Sequence, residues 1–439
     1  MKLFKEFIIL NIILPIADLV LHTHLFYWYK KINKMLRWSP DKIKCWQIEK
    51  LQQLIHHAYN NTVYYHELFD SLGLKPEDIR TIEDLEKIPP LTKDIIRNRY
   101  DDIIPKNIHQ FHYHHSSTGG STGEPTKYIK DNNSWGFDNA FNIIAWKQTG
   151  YRYGDKFMAL GSSSIFPTNK KSILHHFYYK LKGKIPFNAM NLSEEVLHHY
   201  VNFLSKHKIH YIYGYASSIY ILAKFIEDNH LQKTINIKAC FPTSEILTET
   251  YKNTIERVFH CLILDSYGAN DGGIIAHQFG DGFKVGYNSI AQLITNQSTN
   301  FGTELLTDVT NLAFPFIRYQ LGDEVEIGDG YSDKYNGQIF NRVMGRTSDI
   351  IMLENGKILT GPGFTILFKD LNVIGYRIFK SNPLELTLEI VKGSGYNQEQ
   401  EDLIEETMHK HAGKDCKIII NYLTEMKKRN SGKSLFFMN

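Results

Sequence analysis

Residues 208–229 read KIHYIYGYASSIYILAKFIEDN. An apolar run rich in Tyr and Ile meets a glycine and then takes up helical spacing, so the stretch reads strand, Gly turn, helix. The next stretch repeats the unit: IKACFPTSEILTETYKNTIERVF, residues 237–259. After it CLILDSYGANDGG, residues 261–273, opens a further strand. Upstream, DKFMALGSSS (155–164) reads as a buried strand entering a polar loop. SEEVLHHYVNFLSKH (193–207) reads as a helix with Ser193 as its cap. Strand–loop–helix units of this length imply a largely parallel sheet, with function at the carboxyl ends of its strands.

Beyond 283 the pattern becomes β-rich. FKVGYNSIAQLIT, GTELLTDVT, FPFIRYQLGDEVEI and GQIFNRVMG read as antiparallel strands. From about 349 strands mix with one clear helix, NQEQEDLIEETMHKHAG, as in a separate α+β module. RTSDIIMLENGK (346–357) is the natural joint. Toward the N-terminus, residues 41–100 read as helices, with Leu51, Leu54, Ile55 and Ala58 on one face and Thr92 as a cap. SWGFDNAFNIIAWKQTG (134–150) adds another helix. The expected class is α/β: a large bilobed N-terminal domain with mixed sheets packed by helices plus a β-rich section, and a small mobile α+β C-terminal domain. The expected division is 1–40, 41–347 and 348–439.

Composition excludes several classes. Of 439 residues, 42% are hydrophobic and 22% charged, with a net charge of +3, which argues against a nucleic-acid-binding face. The four cysteines form no Cys-x-x-Cys pair, so neither a zinc site nor a disulfide framework is expected, and a reducing cytoplasm suits them. Residues 7–21, FIILNIILPIADLVL, are apolar, but they are short for a span and contain Asn11, Pro15 and Asp18. HLFYWYKK follows, an aromatic and basic stretch of the kind found at membrane interfaces. A packed or membrane-resting amphipathic segment is expected; a cleaved signal and an anchor are the alternatives. Peripheral membrane contact through 1–40 would place the chain at the inner face of a membrane.

HHSSTGGSTGEPTKYIK (114–130) resembles a loop between strand and helix that aims backbone N–H groups and hydroxyls at an anion. It ends Gly123-Glu124-Pro125, so it lacks the lysine of a standard P-loop. In DSYGANDGG, Tyr267 could stack on a flat heterocycle and Asp271 could hold a magnesium ion. Asp323, at a Gly turn, could accept from two ribose hydroxyls. Arg346 stands at the joint, and KKRNSGKSLFF ends the chain with Lys433 after a glycine.

With these motifs in this order, the chain resembles the adenylate-forming superfamily, in the branch of phenylacetate–CoA ligases and CapK-type capsule-biosynthesis proteins. WQIEKLQQLIHHAYNNTVYY (46–65) and LEKIPPLTK (85–93) share the likeness, which covers nearly the whole chain. The resemblance implies ATP, Mg2+ and, in one setting, CoA as cofactors. Thr118, Gly119, Gly120, Ser121, Thr122 and Gly123 would wrap the β- and γ-phosphates. Thr243, Ser244 and Glu245 would border an adenine lying on Tyr267, near Gly268 and Asn270. Asp323 would take the ribose, and Arg346 the ribose or phosphates. Asp271 would hold the metal, and Lys433 would bond the acid and the α-phosphate. The chain departs from the pattern at Asn270-Asp271, where Thr or Ser then Glu is usual, at the pivot Ser348, and at the paired Gly119-Gly120.

The implied activity is AMP-forming ligation of a small organic acid. Two acceptors stay open: a nucleotide sugar or polysaccharide unit, and CoA. The acyl pocket is expected beside Tyr211, Tyr213, Tyr215 and Ser217, and a homodimer is compatible with relatives. The rival reading is a nucleotide-binding homologue without turnover.

Overall fold

The computed structural model describes the chain except residues 1, 118–125, 162–180, 190–191, 270, 272, 274, 295–299, 329–330, 332–335, 344–349, 354–357, 361–367, 369–370, 425–436 and 439. A hairpin, β1 (Tyr113–Ser117) and β2 (Lys127–Asp131), precedes a 12-stranded sheet. Its parallel half comprises β3 (Phe157–Gly161), β4 (Lys184–Asn188), β5 (Tyr211–Tyr215), β6 (Ala239–Thr243) and the short β7 (Leu262–Ile263). Then come β8 (Ser266–Gly268), β9 (Ile275–Phe279), β10 (Gly282–Val285), β11 (Ser289–Ile294), β12 (Phe301–Asp308), β13 (Tyr319–Ile327) and β14 (Ile339–Val343). The order is β11-β12-β13-β14-β10-β9-β8-β6-β5-β3-β4, with β7 beside β6.

The expected parallel sheet is therefore one half of a mixed sheet. β8 is the point of change: Ser266 pairs parallel with Thr243 on β6, while the whole of β8 pairs antiparallel with β9. Alternation along β3 shows how the sequence sets its two faces. Met158 and Leu160 join one buried cluster with the helices Glu194–His207, Ala216–Asp228 and Glu249–Phe259, whereas Phe157 and Ala159 join another with Trp146, Tyr211 and Phe241. At Gly214, at the centre of β5, a Cβ would lie 2.1 Å from the Leu160 carbonyl oxygen, so the close strand contact needs glycine.

Helix starts follow their caps. Ser39 accepts from Lys42 N, with Pro40 in the first turn, and Leu51, Leu54, Ile55 and Ala58 are buried as their spacing predicts. Thr92 caps at Ile95 N. Ser193 occupies the N-cap position with extended backbone, but its hydroxyl makes no capping bond. Two further readings need correction. HHSSTGGSTGEPTKYIK is not one loop between strand and helix, because its ends are the antiparallel strands β1 and β2, with Ser117 opposite Lys127. FPFIRYQLGDEVEI becomes a strand only at Tyr319, after Arg318 takes a left-handed φ of 52°.

The N-terminal segment forms α1 (Lys2–Ile8), a π turn (Ile9–Ile13), α2 (Leu14–Leu21) and α3 (Leu25–Met35). Ile9, Leu10, Leu14, Leu25, Trp28 and Ile32 enter the largest buried cluster. At Gly136, in the helix Asn132–Lys147, a Cβ would lie 2.4 Å from the Thr23 carbonyl oxygen, so that helix lies hard against the turn before α3. No helix among the described residues is long and apolar enough to cross a membrane.

From 350 the chain builds a two-stranded pair, β15 (Ile350–Met352) and β16 (Ile358–Thr360). It then builds a four-stranded sheet of β17 (Val373–Asn382), β18 (Glu385–Lys392), β19 (Lys417–Leu423) and β20 (Phe437–Met438), ordered β19-β18-β17-β20. The helix Gln398–Ala412, capped by Asn397, packs Ile404, Met408 and Ala412 into a cluster whose buried members all lie between Ile351 and Cys416.

Candidate functional site

The carboxyl ends of β5 and β6 lie beside the start of β8, because Tyr215 pairs with Thr243 and Thr243 with Ser266. Open α/β sheets bind ligands outside the carboxyl ends of their parallel strands. Immediately after β6, Ser244 takes a left-handed φ of 67°. This turns Glu245 toward the helix Ala216–Asp228, where its Oε2 accepts from Ser217 N at 2.8 Å. A carboxylate at a helix N-terminus is favourable, although burial raises the Glu245 carboxyl above its usual value and the Ser217 contacts only partly oppose that.

Tyr267 lies on β8, and its hydroxyl reaches Glu304 Oε2 at 2.6 Å and Asp323 Oδ2 at 2.9 Å. A phenol has one proton to give, so a second proton is needed for all three groups to be satisfied. Glu304 supplies it. The side chain is fully buried on β12, and burial, with Asp323 adding to it, pushes its carboxyl up to about 8. The Tyr267 hydroxyl lies within donating distance of both carboxylates, and burial favours the proton-bound form of Glu304. The Tyr267 ring meets Phe340 edge-on with centroids 6.0 Å apart, so its orientation is fixed at both ends.

Asp271 follows the same turn. Its Oδ2 accepts from the Tyr319 hydroxyl at 2.6 Å, and Lys93 Nζ lies 3.7 Å from the same oxygen. Lys93 is carried there by the chain before it: Leu91 N donates to Arg318 O, and Gln320 N donates to Leu91 O. Tyr319 and Asp323, on one strand, thus brace both ends of the 267–271 turn. Beneath it, Lys130 Nζ of β2 lies 2.6 Å from Asp138 Oδ2, and the Ser134 hydroxyl donates to Asp308 at 2.7 Å. At Gly273 a Cβ would lie 2.5 Å from Asp308 Oδ2 and 2.7 Å from Lys130 Nζ, so the turn settles onto this buried group only with glycine there.

Comparison with known proteins agrees with this architecture. Residues 351–439 match the CapK C-terminal domain. Over 357 residues, 79% of this chain and 78% of the relative, the sequence is 25% identical to protein CapK of Staphylococcus aureus. Over 116 residues, 26% of each chain, it is 34% identical to phenylacetate-coenzyme A ligase of Escherichia coli. These matches support the likeness to the CapK and phenylacetate–CoA ligase branch of the adenylate-forming enzymes that the motifs suggest. The crystal structure of 2-hydroxyisobutyryl-CoA ligase in its postadenylation state is similar in fold to this chain, with a TM-score of 0.59 at 16% identity over 93% of this chain and 91% of that one.

Of the residues named from the sequence, the fold brings Thr243, Ser244, Tyr267, Gly268, Asp271 and Asp323 to the change of direction. Thr118, Gly119, Gly120, Ser121, Thr122, Gly123, Asn270, Arg346, Ser348 and Lys433 lie outside the described residues. Glu304, Tyr319 and Lys93 were not singled out from the sequence. Glu304 carried little signal, since TELLTD (303–308) holds a second acid, Asp308. Lys93 carried none beyond its place in PLTK. Among the described residues, no group of three or more His, Cys, Asp or Glu could hold a metal ion. A single carboxylate, Asp271, fits a magnesium ion that takes its other ligands from phosphate oxygens and water.

Proposed function

We propose that the chain activates a small organic acid with ATP, forming an acyl-adenylate and pyrophosphate, and then passes the acyl group to an acceptor. The observation that carries this reading is the Tyr267–Asp323–Glu304 group at the change of strand direction, with Asp271 beside it. Asp323 accepts from Tyr267, and ribose hydroxyls would donate to the same carboxylate. Tyr267 offers an anchored ring for adenine, at the turn formed by Thr243 and Ser244. Asp271 would hold magnesium, which supplies positive charge to the triphosphate. The segment 118–123, between β1 and β2, would receive the β- and γ-phosphates.

The attack of a carboxylate on the α-phosphorus brings two anions together. The site must offset that repulsion, and positive charge does so without acid–base chemistry. Lys433 and Arg346 are the residues proposed to add it, the first delivered by the unit 348–439 as it turns against 41–347 between half-reactions.

The match to protein CapK over 79% of the chain, taken with the capsule-biosynthesis setting that the family resemblance implies, supports an amino or hydroxyl group of a sugar as acceptor. The local match to phenylacetate-coenzyme A ligase supports CoA as the second reading. Pyrophosphate exchange into ATP across a panel of acids tests the first half-reaction, and mass spectrometry of products with nucleotide sugars or CoA tests the second. Acid-dependent exchange is expected. ATP binding without exchange for any acid would instead identify a homologue without turnover.

A further inference from the structure

The N-terminal helices leave a surface that the proposed reaction does not use. Phe4, Phe7, Ile12, Ile16, Leu19 and Val20 are all at least half exposed, Leu19 by 77% and Phe4 by 69%. They line one side of α1, the π turn and α2. The wider π turn takes up the five-residue step from Phe7 to Ile12, and α2 continues at steps of four to Ile16 and Val20. The opposite side, Glu6, Ile9, Leu10 and Leu14, is buried.

The segment is also fixed in rotation. Lys5 Nζ donates to the Gly154 carbonyl oxygen at 2.7 Å, and Glu6 pairs with Lys147 at 2.8 Å. The apolar side therefore cannot turn inward to hide.

The charge beside it is of one sign. Residues 4–37 contain two acids, Glu6 and Asp18. Glu6 is buried in its pair, and Asp18 accepts from the Thr23 hydroxyl, Leu25 N and Tyr27 N, which holds the start of α3. On α3 the exposed positions Tyr27, Lys30 and Lys34 share one face, with Arg37 one turn further on. Lys30 Nζ lies 3.4 Å from Asn11 Oδ1, which sets this basic row along the rim of the apolar stripe. Among the described residues, the ion pairs take in none of Lys30, Lys34 or Arg37.

An apolar stripe bordered by unpaired cations and an exposed tyrosine matches the depth profile of a lipid headgroup layer, with side chains below it and ammonium groups at the phosphates. We propose that the face formed by α1, α2 and α3 seats on the surface of an anionic lipid bilayer, lying in its interface without crossing it. A second copy of the chain meeting the same face would bring two rows of lysines together, which disfavours that occupant.

Flotation of the full chain with vesicles tests this, comparing phosphatidylcholine alone with equimolar phosphatidylcholine and phosphatidylglycerol. Binding is expected to the anionic vesicles only, and to weaken as salt rises from about 0.05 M to about 0.5 M. The pair Ile16→Glu with Leu19→Glu, and separately Lys30→Glu with Lys34→Glu, are each expected to lower partitioning about tenfold. All four positions are outside the buried core, so unchanged melting profiles are expected to accompany those losses. The proposal is overturned if the wild type ignores anionic vesicles, or if both variant pairs bind as the wild type does. It is equally overturned if sedimentation shows a dimer that Ile16→Glu with Leu19→Glu dissolves while neither vesicle is bound. None of these outcomes depends on pyrophosphate exchange, so failure here leaves the catalytic reading standing.

Discussion

Burial, with the Asp323 charge adding to it and the Tyr267 bond opposing it, pushes the Glu304 carboxyl up to about 8, which favours its protonated form at neutral pH. Its folded value of about 8 lies above the ordinary 4.5, so the folded chain binds the extra proton between those limits. The stability this provides is complete below about 4.5 and is lost as pH rises through about 8. Glu304→Gln keeps a donor without the titration. The wild type is therefore expected to lose melting temperature relative to Glu304→Gln between pH 5.5 and pH 8.5, measured by calorimetry at both. At the same scale, Lys433→Ala is expected to slow adenylate formation by about 100-fold or more with an unchanged melting temperature. Equal exchange rates in mutant and wild type would remove Lys433 from its proposed role. Although Gly322-Asp323 lies within β13 and not at the turn expected of it, Tyr267 and Asp323 were legible because each sits beside a glycine. Their bond to each other was not, since 56 residues separate them and only the sheet order brings them together.

Elements were easiest to read where alternation or capping declares them. β3 and β5 alternate cleanly, and Ser39 and Thr92 cap where their positions suggest. The β1–β2 hairpin was not legible. Tyr113-His-His-Ser-Ser117 is poor in β-formers, and its strand state comes from pairing with β2, not from propensity. The N-terminal run was legible as amphipathic, but only the structure shows which side is covered. Close packing of the helix Asn132–Lys147 against the turn before α3 gives a test at this scale. Gly136→Ala is expected to lower stability by roughly 2 kcal/mol, because a methyl group must displace backbone at Thr23, and chemical denaturation would read it. A neutral result would mean the contact is slack.

Across the whole molecule, the parallel half and the later antiparallel strands could be read separately. Their union in one sheet could not, because β8 is three residues long and carries no periodicity of its own. The boundary proposed at 347 and 348 has a testable counterpart in the last buried cluster, which draws its buried members from 351–416. A fragment ending at residue 347 is expected to melt cooperatively and to bind ATP, yet to give no pyrophosphate exchange. Aggregation of that fragment, with full exchange restored only by the intact chain, would instead make the last unit part of one folding unit with the rest.

The brevity of β8 has a consequence for how such chains can be recombined. It touches the parallel half through a single residue pair, Thr243 with Ser266. A crossover placed there would cut little of the sheet's pairing, but the buried cluster that joins residues 9–153 to 276–340, and the Leu91–Tyr319 bridge, would have to match between the two parents. β8 is a seam in backbone pairing and not in packing.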